Sequence, residues 1–186
     1  MTTAMGAVGV SGATHLVAGV QVPEVALSST AGGTIDLATL AGTSIVFVYP
    51  WTGRPGVPNP PGWDDIPGAH GSTPQAEGFR DHWKAFQTAG FEVFGLSTQS
   101  RDWQKECAQR LRLPFELLSD NAFAFADDLD LPRFVTAGTA YLSRLTLIVR
   151  DGRIVETIYP VTDPAGHAAE LLARLGRLAI PASDRR

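Results

Sequence analysis

Ser44–Val48 reads SIVFV, a run in which successive side chains are apolar and three of the five are β-branched. Side chains alternate sides along a strand, so a run of this kind carries apolar groups on both faces. It needs cover above and below, which means an inner strand of a sheet with packed layers on both sides. Tyr49-Pro50 follows, and proline ends the ladder because it has no N–H to donate. This one segment already points to an α/β protein.

The neighbouring segments fit that frame. Val25–Ser29 and Thr34–Leu40 flank Ala31-Gly32-Gly33, as an opening hairpin would. From Trp51 to Gly71 the chain is loop, with five prolines in it. Loops of this length inside a compact domain are usually functional or mobile. A helix follows: Ser72 or Thr73 is placed to cap it, with Gln75 completing an S-x-x-Q box. Pro74 suits its first turn and Gly90 its end. Ala76, Phe79, Trp83 and Phe86 recur at three- and four-residue steps and give it one apolar face.

Phe91–Leu96 reads as the next strand. A second helix is expected from near Ser100 until Pro114 stops it, with Trp103, Cys107 and Leu111 on one face. Phe115–Leu118 is a short strand and Asn121–Leu129 a short helix. Leu145–Val149 and Ile154–Tyr159 pair around Asp151-Gly152, a favoured hairpin turn. Asp163–Leu178 closes the chain as an amphipathic helix, with Ala168, Leu171, Leu172 and Leu175 inward. The order hairpin, β-α-β-α-β-α, hairpin, α predicts a thioredoxin-like fold: a central mixed sheet with helices on both faces and an N-terminal β-hairpin extension. Residues 1–20, which start with small uncharged side chains, read as a flexible arm, and 21–180 as the single domain.

Composition removes several functions. At 186 residues the chain suits one domain with a sizeable core. A net charge of −4 gives no support for nucleic-acid binding. No apolar run approaches the ~20 residues of a membrane span. The start lacks the charged and apolar regions of a signal peptide, and a single cysteine forms no internal disulfide, so the chain reads as cytoplasmic. His15, His70, His82 and His167 have no metal-ligand spacing and read as surface residues. A hydrolytic arrangement of Ser72, His70 and Asp64 or Asp65 is disfavoured, because all lie in one loop and Pro74 breaks a nucleophile elbow.

The junction at Ser72 is the informative site. A strand runs into a loop that ends at the first turn of a helix, where free N–H groups and the helix dipole favour an anion. Four segments, VFVYP, GSTPQAEGFRD, LPFELLSD and LSRLTLIVRDGRI, resemble peroxiredoxins of the bacterioferritin-comigratory type, also called peroxiredoxin Q. The likeness runs from about Val22 to Leu175.

That resemblance implies specific roles. The family's peroxidatic cysteine attacks a hydroperoxide and becomes a sulfenic acid. Ser72 stands at its position. Arg144 stands where the family has the arginine that stabilises the thiolate, and Gln75 where it has that arginine's hydrogen-bonding partner. Pro50 matches the motif proline, and Thr73 adjoins Ser72 on the substrate side with Pro50 and Gln75. Three residues before Ser72 the family motif has threonine and this chain has Ala69, so Thr52 is left to supply the hydroxyl. Glu77 occupies the place where many members carry a resolving cysteine. Cys107, the only cysteine, is a candidate resolving thiol, and reads equally as a core residue.

Trp51 and Trp63 fit either the wall of a peroxide pocket or an anchor for the long loop. The implied activity is reduction of hydrogen peroxide and small organic hydroperoxides, with electrons from a thioredoxin-like thiol reductant and with no cofactor or metal. The resemblance leaves monomer and homodimer open. Serine cannot run that cycle, so the chain as it stands is expected to be inactive. Its intact neighbourhood favours replacement of a parental cysteine. The alternative is a naturally non-catalytic binding or redox-sensing protein that uses Cys107.

Overall fold

The computed structural model describes residues 12–178. The SIVFV run forms β3 (Thr43–Val48), an inner strand of a seven-stranded sheet. Parallel to it lies β4 (Phe91–Ser97), and antiparallel on its other side β8 (Leu145–Arg150). Beyond β4 come β5 (Glu116–Ser119), β1 (Leu27–Ser29) and the two-residue β2 (Thr34–Ile35), and β9 (Arg153–Ile158) forms the opposite edge. Asp151 and Gly152, both at positive φ, make the β8–β9 turn as expected.

Each face of β3 enters a different core. Ile45 and Phe47 meet α1 (Ser72–Thr88), α2 (Arg101–Leu111) and α4 (His167–Leu178) through Phe79, Phe86, Cys107 and Leu171. Val46 and Val48 face α3 (Ala124–Asp128) and the N-terminal segment through Phe125, Leu27 and Leu16. The sheet is therefore covered by helices on both faces, three on one and the short α3 on the other. Phe47 stacks on Phe79 with centroids 4.5 Å apart, which fixes α1 over the sheet. Its neighbour in register on β4 is Gly95, and a Cβ there would lie 2.7 Å from Phe47 Cζ and 2.5 Å from a Leu117 methyl.

Several boundaries differ from those expected. α4 starts at His167 rather than Asp163, and α3 is shorter than the 121–129 segment. A third hairpin, not expected from the sequence, β6 (Arg133–Thr136) and β7 (Thr139–Leu142), turns on Ala137-Gly138 and stands apart from the main sheet. Part of the expected arm, residues 1–11, lies outside the described residues. Residues 12–20 are not loose: Leu16 is buried, Gly19 donates to the Ile154 carbonyl and Ile154 to that of Val20, so this stretch is tied to β9. No helix among the described residues is long and apolar enough to cross a membrane.

Candidate active site

The loop after β3 returns to the sheet at Gly71, which takes φ 102° and is the N-cap of α1. Only glycine adopts that backbone easily, and a Cβ there would lie 2.4 Å from Pro164 Cγ. The expected cap, Ser72 or Thr73, lies one or two residues past this position. Ser72 is the first helical residue, and no side chain caps this helix. The expected S-x-x-Q box does not form, because both of its side chains turn to Arg144 instead.

Arg144 sits immediately before β8 and is 5% exposed. Its Nη2 donates to Ser72 Oγ and to the His70 carbonyl, both at 3.0 Å. Those two acceptors use the two hydrogens of Nη2, so the contacts to the Gly68 and Ala69 carbonyls at 3.4 Å are secondary. Nη1 donates to Gln75 Oε1, and Gln75 is completely buried. Every acceptor is neutral, and among the described residues Arg144 has no carboxylate partner. Burial pushes its pKa down to about 10, so it stays charged at neutral pH.

Ser72 is 3% exposed and, with Thr73, lines a cavity of about 260 Å³. Trp51, Trp63 and His70 line the same cavity. The tryptophans anchor the long loop and also line this cavity. Trp63 packs edge-on against Tyr141 of the β6–β7 hairpin, 4.9 Å away. Trp51 packs on Trp63 and on Trp103, so the long loop is pinned at both ends of this row. The row was not legible beforehand because the hairpin that anchors it was missed. Its signal was Ala137-Gly138 between two runs of strand formers.

The other expected site residues lie elsewhere. Thr52 is buried, and its hydrogen bonds do not run to Ser72: Oγ1 and the amide both donate to Gln99 Oε1, and its carbonyl accepts from Trp103 Nε1 at 2.7 Å. Thr52 secures the start of the loop to α2. Pro50 is buried at the bend just after β3. Cys107 is fully buried between α2 and the sheet. Burial raises its pKa, and the nearby Thr52 hydroxyl and Arg110 only partly oppose this. His70 bonds Asp64 at 2.8 Å, but both are exposed, and the Ser72 hydroxyl is held by a cation. That is no hydrolytic triad.

His167, read as a surface residue, is instead 5% exposed. It shares a 2.9 Å hydrogen bond with Thr146 on β8, and its pKa falls to about 4, through burial first and then Arg174 and Arg144. Among the described residues no group of His, Cys, Asp and Glu could hold a metal ion.

Residues 17–173 match the family model described as Redoxin. The chain belongs to that family. Within it, the relatives are peroxiredoxins. A Coxiella burnetii protein named as a bcp peroxiredoxin is 29% identical over 164 residues, covering 84% of this chain and 97% of that protein. A chloroplastic peroxiredoxin Q of Populus jackii is 31% identical over 158 residues, covering 84% of this chain and 66% of the relative. Among solved structures, peroxidoxin BcpB of Mycobacterium tuberculosis superposes with a TM-score of 0.71 at 24% identity, over 89% of this chain and 100% of that one. A Cys-to-Ser mutant of Xanthomonas campestris peroxiredoxin Q gives 0.68 at 23%, over 88% and 99%. At these identities the two structures show the fold alone, and it is the thioredoxin-like fold of peroxiredoxins. The Redoxin match and these relatives place the chain among the peroxiredoxins, a family of enzymes.

Proposed function

We propose that the Ser72–Arg144 pocket is a peroxidatic site in which serine stands in place of the reacting cysteine. With cysteine at position 72, the thiolate attacks the terminal oxygen of a hydroperoxide. The O–O bond breaks, sulfur becomes sulfenic acid, and the alkoxide or hydroxide leaves with a proton. A dithiol reductant of thioredoxin type then removes the sulfenic oxygen as water and is itself oxidised. The uncapped N-terminus of α1 and the buried guanidinium of Arg144 stabilise the anion that this chemistry needs. Gln75 orients the guanidinium, and Thr73 adjoins Ser72 on the substrate side.

The observation that carries the proposal is the 3.0 Å hydrogen bond from Arg144 Nη2 to Ser72 Oγ. A buried cation with only neutral acceptors suits a thiolate partner at that position. Serine does not ionise there at neutral pH and has no sulfenic state, so the chain with Ser72 has no turnover. Thioredoxin-coupled peroxide consumption by the Ser72 chain and by Ser72→Cys tests this. Sensing through Cys107 has less support, because a fully buried thiol with a raised pKa carries little thiolate. The residue encoded by the gene at position 72 separates a substituted enzyme from a naturally inactive relative.

A further inference from the structure

We propose that a second cavity, on the other side of the Ile66–Gly68 loop segment, binds a small apolar monocarboxylate whose carboxylate pairs with Arg144. The cavity measures about 230 Å³, and neither Ser72 nor Thr73 lines it. Ile66, Pro67, Phe134 and Val161 are among its apolar walls, and Ser143 and Arg144 bring polar groups. No acidic side chain lines it. The site does not depend on the peroxidatic reading, because no peroxide chemistry is involved.

Three observations converge on this ligand class. First, the Arg144 guanidinium is buried and lacks a carboxylate partner among the described residues, and its Nε N–H has no hydrogen-bond acceptor. A desolvated charge in this state gains strongly from an opposite charge. Second, the weakest Arg144 contact on this side is the 3.4 Å one to the carbonyl of Gly68, which itself lines the cavity. A carboxylate oxygen replaces that contact at little cost and pairs with the guanidinium charge from this side, the strong bonds to Ser72, His70 and Gln75 staying in place. Third, the remaining walls are apolar and suit an alkyl tail.

The same features exclude neighbouring classes. A phosphate or dicarboxylate would bring a second charge among apolar walls with nothing to pair it. A neutral ligand would leave the guanidinium unmet. The cavity is smaller than the ~300–1,000 Å³ of drug-sized pockets, so the tail is a few carbons long.

Isothermal titration calorimetry of the full Ser72 chain with hexanoate tests the proposal, with hexanamide as the uncharged control. One saturable site is expected, at least tenfold tighter for hexanoate than for hexanamide. Arg144→Gln should weaken hexanoate binding tenfold or more. Because Arg144 also holds the loop, a second variant guards against misfolding: Val161→Asp keeps Arg144, puts a carboxylate in the cavity and should weaken hexanoate at least tenfold. Equal binding of hexanoate and hexanamide, no saturable site, or unchanged hexanoate affinity in folded Val161→Asp would overturn the proposal. The outcome stands apart from that of the peroxidase assay, since it is read on the Ser72 chain without peroxide.

Discussion

Arg144 and Ser72, 72 residues apart in sequence, meet through a 3.0 Å hydrogen bond in which the guanidinium donates to the hydroxyl. The strand β8 delivers one and the first turn of α1 the other. A cation at the start of a helix adds to the helix dipole rather than opposing it, so both push the potential at position 72 positive. Such a place destabilises any cation and rewards a side chain that carries negative charge.

The first consequence concerns Arg144 itself. In the Ser72→Cys form, Arg144→Ala should slow the reaction with peroxide by about 10²–10³-fold, the scale for losing one donor to a developing anion. The introduced thiol should also ionise at higher pH, because its counter-charge is gone. Stopped-flow rates and a pH titration of thiolate absorbance read both. An unchanged thiol pKa would show that Arg144 acts on the fold alone.

Cys107 gives the second. It is fully buried, so Ser72→Cys treated with one equivalent of peroxide should accumulate sulfenic acid at position 72 while Cys107 stays reduced. A bond between the two positions would require Cα atoms within about 4.4–6.8 Å, and α1 and α2 would have to unwind to allow it if they lie farther apart. Non-reducing peptide mapping decides this. A mapped 72–107 disulfide would restore Cys107 as the resolving thiol.

His167 predicts a pH dependence. Its folded pKa is about 4 against 6.5 for the free side chain, so between these values the unfolded chain binds a proton that the folded chain does not. Stability therefore falls as pH drops from about 6.5 to 4, by about 3 kcal/mol from this group. The charges that set the shift after burial are Arg174 and Arg144, with Asp163 opposing them. Urea denaturation across this range should show a shallower slope for His167→Gln. Equal slopes in the two proteins would contradict the assignment.

Much of the architecture was legible because it rests on local patterns. SIVFV and FEVFGL could only be inner strands, and Asp151-Gly152 fixed a hairpin by its turn chemistry. Arg144 and Gln75 come from the resemblance, and in the structure Arg144 bonds both Ser72 and Gln75. What failed were features decided by distant parts of the chain. Ser72 looked like an N-cap because its sequence neighbours permit one, but the buried arginine just before β8 claimed its hydroxyl. Thr52 looked like the motif hydroxyl by closeness to Pro50, but Gln99 and Trp103 hold it toward α2. His167 lies on a helix with an exposed side, and only the packing of α4 on β8 shows that it faces inward.

The measurement that bears most directly on the account is thioredoxin-coupled peroxide consumption by Ser72→Cys beside the unaltered chain. The unaltered chain should remain at background. Ser72→Cys should consume peroxide in a saturable, enzyme-dependent manner with the reductant present and stop after one equivalent without it. If both proteins stay at background while Ser72→Cys is folded and its thiol is reduced, the pocket at Arg144 is not a peroxidatic site.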